Sequence, residues 1–105
     1  HPNLLPAFFD DDPRKAELGD SFAKKPLYSR EGANVLLVQR SAVLDQDTGP
    51  YGAEGHVRQG LARLARADGN YAVLGSWIVG DEPAGLCVRE SASPITTNHS
   101  RFLPH

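Results

Sequence analysis

Methionine is absent from all 105 residues, position 1 included. A chain without an initiator is expected to be a piece of a longer product. Cysteine is nearly absent: Cys87 stands alone, so no intrachain disulfide can form, which suits a reducing compartment. No apolar run approaches the roughly 20 residues that a membrane-crossing helix needs. No charged-then-apolar leader opens the chain. The default expectation is therefore a cytoplasmic protein with no membrane partner. A basic excess is missing too, with 11 Lys and Arg against 13 Asp and Glu and a formal charge of −2. That balance argues against a general nucleic-acid binder, yet it leaves room for a small cationic pocket. His1, His56, His99 and His105 show none of the spacings of a metal motif. No Ser/His/Asp arrangement can be argued.

What is present reads mostly as strand. Pro2 and Pro6 disfavour a helix through the first nine residues. Asp10-Asp11-Asp12-Pro13-Arg14-Lys15 reads as a polar loop, solvated rather than cation-binding because no regular ligand spacing follows. Phe22 to Pro26 is an extended segment, and Pro26 pushes Lys25 toward extended backbone. Asn34 to Gln39 is the clearest short apolar strand. Ser41 to Gly55, with its aspartates, glycines and Pro50, reads as a long connection. His56 to Leu61 is a further strand candidate. Leu61 to Ala67 has helical propensity, and Asp68-Gly69-Asn70 stops it. Tyr71 to Val79, a turn at Gly80-Asp81-Glu82-Pro83 and a return strand Ala84 to Glu90 form a hairpin. Period-two alternation puts Gly85, Cys87 and Arg89 on one face, with Ala84, Leu86 and Val88 on the other. Arg89 thus shares its face with two small residues, which leaves room for a ligand. Cys87 is read as a small apolar residue, and Asp81 and Glu82 as solvated turn residues. The tail from Ser91 is polar and loop-like.

One stretch suggests chemistry. Lys24-Lys25-Pro26-Leu27-Tyr28-Ser29-Arg30-Glu31-Gly32-Ala33-Asn34 runs straight into Val35-Leu36-Leu37-Val38. It reads as strand, short polar turn with a glycine and several cations, then strand. Backbone N–H groups at such a turn, with Lys and Arg heads nearby, can hold phosphate. It is not a Walker P-loop. A second segment lies about forty residues on: Gly75-Ser76-Trp77-Ile78-Val79-Gly80-Asp81-Glu82-Pro83-Ala84-Gly85-Leu86-Cys87-Val88-Arg89-Glu90. With these go His1-Pro2-Asn3-Leu4-Leu5-Pro6-Ala7-Phe8-Phe9, Gly49-Pro50-Tyr51-Gly52-Ala53-Glu54-Gly55, Ser93-Pro94-Ile95-Thr96-Thr97-Asn98 and Ser100-Arg101-Phe102-Leu103-Pro104-His105. In this order the blocks resemble the carboxy-terminal part of the glutathionylspermidine synthase family, an ATP-grasp family. The resemblance spans residues 1–105.

The resemblance implies roles that the residue types alone leave open. Lys25, by composition a surface lysine, matches the lysine before proline that contacts ATP phosphate, and a compact cation with three donors suits that task. Lys24 departs from the usual apolar residue and is expected to be solvated. Ser29 to Asn34 matches a loop over the nucleotide phosphates, with Arg30 a cation, Gly32 exposing its N–H and Asn34 bracing the turn. Glu31 is expected to face solvent or pair with Arg30. Gln59 matches a nucleotide-contacting amide, although Gly60 replaces the family's usual second glutamine. Pro94, Ile95 and Thr96 fall where the family chain passes near the nucleotide. Arg89, otherwise a strand-surface arginine, matches the catalytic arginine that stabilises charge on the transferring phosphoryl group. Lys25 and Arg89 are expected to serve one phosphate site.

The expected fold is α+β: a partial ATP-grasp module, mostly antiparallel β with little helix. The implied parent is an ATP-dependent carboxylate–amine ligase working through an acyl phosphate. Its substrates would be a glutathione-like carboxylate and a polyamine-like amine. Mg2+ would neutralise the phosphates, and the resemblance places its ligands outside this chain, so the fragment alone should be inactive. The alternative is a non-catalytic nucleotide-binding or scaffolding module of ATP-grasp ancestry.

Overall fold

A computed structural model describes residues 1–104. The chain divides into two units, His1–Arg63 and Leu64–His105. Each is organised around one antiparallel sheet. Helix is confined, among the described residues, to a six-residue 3-10 helix at Pro13–Leu18. The expected predominance of antiparallel strand with little helix therefore holds.

The first unit holds β1 (Ala7–Phe9), β2 (Phe22–Pro26), β3 (Leu36–Gln39), β4 (Ala42–Gln46) and β5 (His56–Gly60). Their order in the sheet is β1-β5-β2-β3-β4, which puts β2 at the centre. Ala23 lies opposite Leu37 on one side and Gln59 on the other. Both Ala23 and Leu37 are buried. Alternation then places Lys25, Val57 and Gln59 on the Ala23 face and Phe22, Lys24 and Arg58 on the reverse. β4 lies inside the stretch expected to be a connection. Arg40 and Ser41, at φ 50° and 64°, make a tight left-handed turn without the Gly or Asn that would have signalled a hairpin. Leu44 bulges out of register against β3.

The acidic run is also more ordered than a solvated loop. Asp12 caps the 3-10 helix by accepting the Arg14 N–H at 2.9 Å, and Pro13 occupies its first position.

The second unit holds β6 (Ala65–Ala67), β7 (Asn70–Val79), β8 (Glu82–Ser91) and β9 (Arg101–Leu103), in that order across the sheet. The helical expectation for Leu61 to Ala67 is overturned. Asp68 and Gly69, at φ 49° and 83°, form a tight turn that folds β6 back onto β7. This Asp-Gly hairpin signal outweighs the helix propensity of Ala, Leu and Arg. The long hairpin forms as expected, but its turn is only Gly80-Asp81, and the return strand starts at Glu82. Ala84 is bulged out of register, so strict alternation begins at Gly85. β9 corrects the reading of the tail as loop throughout: Arg101–Leu103 pairs with Val88–Glu90.

Candidate functional site

The first unit brings together two of the sequence-predicted residues. Lys25 on β2 and Gln59 on β5 sit diagonally across neighbouring strands, and Lys25 Nζ donates to Gln59 Oε1 at 2.7 Å. The two positions are separated by 34 residues in the chain. Among the described residues no carboxylate forms an ion pair with Lys25. Its charge is held in place by a neutral amide and is not neutralised.

Lys24 behaves differently. It is not solvated as expected; its Nζ lies 3.0 Å from Asp10 Oδ2. Arg58 Nε donates to Asp10 Oδ1, and the Arg58 guanidinium lies 4.6 Å from the centre of the Phe22 ring. The backbone carbonyl of Asp10 accepts from Lys15 Nζ. Partial burial works against ionisation of Asp10, but the hydrogen bonds and charges of Lys24 and Arg58 outweigh it and hold the carboxyl below its ordinary pKa. Sequence reasoning missed this cluster. The residues lie 14 and 48 positions from Asp10, and only the sheet register brings Lys24 opposite Arg58.

The polar turn between β2 and β3 folds on itself. Ala33 N–H donates to Arg30 O at 3.0 Å and Val35 N–H to Gly32 O at 3.1 Å. Ser29 Oγ donates to Ala33 O at 2.7 Å. Glu31, Gly32 and Asn34 have φ of 56°, 78° and 57°. Arg30 Nη2 pairs with Glu31 at 3.1 Å, as expected, with the Arg30 side chain mostly in solvent. Asn34 does brace this turn, but across to another segment: its Oδ1 accepts the Tyr51 N–H at 2.9 Å.

Arg89 lies on β8 in the second unit, opposite Val73 on β7 and Phe102 on β9. Its guanidinium lies 5.6 Å from the Phe102 ring centre, a cation–π distance. Gly85 and Cys87 share its face as the alternation predicts. Cys87 is half-buried, and its Sγ would lie only 2.7 Å from a Cβ added at Gly75. Pro94, Ile95 and Thr96 belong to the loop before β9. Ile95 is buried, and its N–H donates to Ser93 Oγ at 2.9 Å. Ser100, also buried, accepts the Thr97 N–H at 3.0 Å. These bonds give the loop a fixed path. His105 lies outside the described residues. No helix among the described residues is long and apolar enough to cross a membrane.

An uncompensated lysine beside an amide, a left-handed glycine turn and an antiparallel framework are parts suited to holding an anionic ligand. Comparison with known proteins supplies the class. The chain belongs to the glutathionylspermidine synthase preATP-grasp family, whose model matches residues 1–105. A Haemophilus influenzae protein provisionally named an acid–amine ligase is 38% identical over 111 residues, covering 100% of this chain and 28% of that protein. Trypanothione synthetase of Crithidia fasciculata is 32% identical over 97% of the chain and 16% of its own length. The bifunctional glutathionylspermidine synthetase/amidase of Escherichia coli is 30% identical over 99% of the chain and 17% of its own length. The chain thus spans under a third of each of these relatives. The names place the family among ligases.

Proposed function

We propose that residues 1–105 are the carboxy-terminal portion of an ATP-grasp domain in an ATP-dependent carboxylate–amine ligase. The observation that carries this reading is the state of Lys25. Of two adjacent lysines, Lys24 is paired with Asp10, whereas Lys25, the one matched to a phosphate contact, meets the neutral Gln59 and, among the described residues, no carboxylate. A cation left uncompensated on a half-buried strand is suited to a polyanion.

In this reading Lys25 and Gln59 of the first unit hold ATP, with Arg30 and the Gly32 N–H at its phosphates; the family resemblance alone assigns Pro94, Ile95 and Thr96 to the nucleotide. The donor set fits that ligand: a cation, an amide able to donate and accept, and backbone N–H groups at a turn. ATP would supply the phosphoryl group that activates a carboxylate as an acyl phosphate, with release of ADP, and attack by the amine would form the amide and expel inorganic phosphate. Arg89 stabilises charge on the transferring phosphoryl oxygens. Mg2+ would be held by acidic residues outside this chain. The relatives' names point to a glutathione-like acid and a polyamine-like amine.

The test is ADP release by the full-length protein with glutathione and a polyamine panel. Amine-dependent ADP formation supports the ligase. ATP binding without amine-dependent turnover points to the non-catalytic module or to another substrate pair.

A further inference from the structure

The polar turn between β2 and β3 is pinned by a segment far along the chain, residues 47–55. Asp47 N–H donates to Val35 O at 2.9 Å, just past the turn. Tyr51 N–H donates to Asn34 Oδ1 at 2.9 Å, within it. Leu27 N–H donates to Gly55 O at 3.0 Å, at its start. The strap therefore grips both flanks of the turn and one internal side chain. Between these points Gly49 lies against the turn itself. A Cβ built there would fall 2.7 Å from Asn34 Oδ1 and 2.8 Å from Ala33 Cβ. Ala33 has no flexible side chain to swing aside, so a larger residue at 49 must displace backbone. Asn34 sits at φ 57°, a conformation open to Gly and Asn and costly for most other residues. One residue thus combines the backbone bend of the turn with the side-chain acceptor that ties it to the strap.

We infer that Asn34 and Gly49 are positioning residues: the 47–55 strap, acting through them, sets the geometry of the Arg30–Asn34 turn for a nucleoside triphosphate. The inference rests on the ATP reading above. It needs no contact between either residue and the ligand. A turn carrying three left-handed residues, Glu31, Gly32 and Asn34, has many unbound alternatives. The strap removes them before the ligand arrives, so that ordering costs less on binding.

Two variants disturb the strap in opposite ways. Asn34→Gly keeps the left-handed backbone and deletes the acceptor. Gly49→Ala keeps the acceptor and pushes the strap off the turn. In the full-length ligase, with active sites titrated, each is expected to raise KM for ATP by roughly ten- to a hundredfold while kcat changes much less. A merely structural role would lower the active fraction and leave KM for ATP untouched. If Gly49→Ala does not fold, Asn34→Gly decides the matter alone. Lys25→Ala, run beside them, separates the two ideas. If Lys25→Ala raises KM for ATP and the strap variants do not, the positioning role is overturned and the ATP reading stands. If Lys25→Ala also leaves KM for ATP unchanged, the ATP reading falls and takes the inference with it.

Discussion

Lys24 and Lys25 are neighbours in sequence and face opposite sides of the first sheet: Lys24 meets Asp10 at 3.0 Å, Lys25 meets Gln59 at 2.7 Å. Strand alternation separates them, and their partners give them different electrostatics. A single substitution at each position should therefore have a different consequence. Lys25→Ala is expected to weaken ATP binding by roughly 10- to 150-fold, the worth of a charge-assisted hydrogen bond of about 1.5–3 kcal/mol. Lys24→Ala should leave ATP binding within about twofold, because its charge is already spoken for by Asp10. Isothermal titration of the full-length protein with ATP checks both. Equal losses at the two positions would contradict the assignment.

Asp10 connects the start of the chain to β2 and β5 through Lys24 and Arg58. Its folded pKa lies below the ordinary 3.8. A depressed carboxylate contributes stability that is fully present above the unfolded pKa and is lost as pH falls through the folded one. The stability gap between wild type and Asp10→Asn should therefore be constant at neutral pH and close as pH drops below about 4. Removing the carboxylate also leaves Lys24 and Arg58 facing each other as like charges on opposed residues. A loss of about 1–2 kcal/mol at pH 7 is expected, since the pair is only half-buried. Denaturant titrations across pH test this, and a gap that widens on acidification would rule it out.

The parts of this fold that could be read in advance are those with local causes. The β7–β8 hairpin announces itself through a long run of strand formers around a two-residue turn. The face shared by Gly85, Cys87 and Arg89 follows from alternation alone, whereas the roles of Lys25 and Arg89 come from the family resemblance and stand as proposals. What escaped depends on contacts distant in sequence or on turns with unusual residues. β4 was hidden because Arg40 and Ser41 adopt left-handed backbone without a glycine. β6 was hidden because its three residues, Ala65–Ala67, favour helix when alone and become strand only by pairing with β7. In sequence Asp10 looks like one of three solvated aspartates, since nothing near it reveals Arg58. Asp68-Gly69 is legible in sequence as a stop after Ala67; its hairpin meaning, folding β6 onto β7, overrides helix propensity in so short a segment.

The isolated chain should be marginally stable. Among the described residues the buried hydrophobic core is small: Ala23, Leu37 and Ile95, with Pro26 also buried. Trp77, Ile78 and Val79 at the end of β7 are exposed by 62%, 69% and 67%, and Leu4 near the start by 73%. Small units bury a limited fraction of their surface, and clustered exposed apolar residues mark surface that another body covers. The isolated chain is expected to bind a hydrophobic dye, to associate with rising concentration and to melt without a sharp transition. Ile78→Thr with Val79→Thr should reduce the association and leave Asp10-dependent stability unchanged. A monomer that melts cooperatively at high temperature would refute this expectation.

Arg89 gives the sharpest test of the proposed chemistry. Val73 and Phe102 flank it on neighbouring strands, and the Phe102 ring lies under its guanidinium. Among the described residues no carboxylate forms an ion pair with it, so its charge, like that of Lys25, is uncompensated. A guanidinium held on a strand and backed by an aromatic face is preorganised, and preorganised charge acts most where charge develops during reaction. Phosphoryl transfer to a carboxylate spreads negative charge over the transferring oxygens. Arg89→Ala should therefore lower kcat by a hundred- to a thousandfold, about 2.7–4 kcal/mol, with the affinity for ATP changed much less. Arg89→Lys keeps the charge and loses the planar fork, so it should also fall well below wild type. Phe102→Leu keeps apolar contact and removes the π face. It should cost much less, about 0.5–1 kcal/mol because the ring is largely exposed, and should appear in kcat rather than in KM for ATP. Steady-state ADP release by the full-length protein reads all three. An active protein unaffected by Arg89→Ala would remove Arg89 from the mechanism. A Phe102→Leu variant impaired only in KM for ATP would place the ring at the nucleotide instead of behind the arginine.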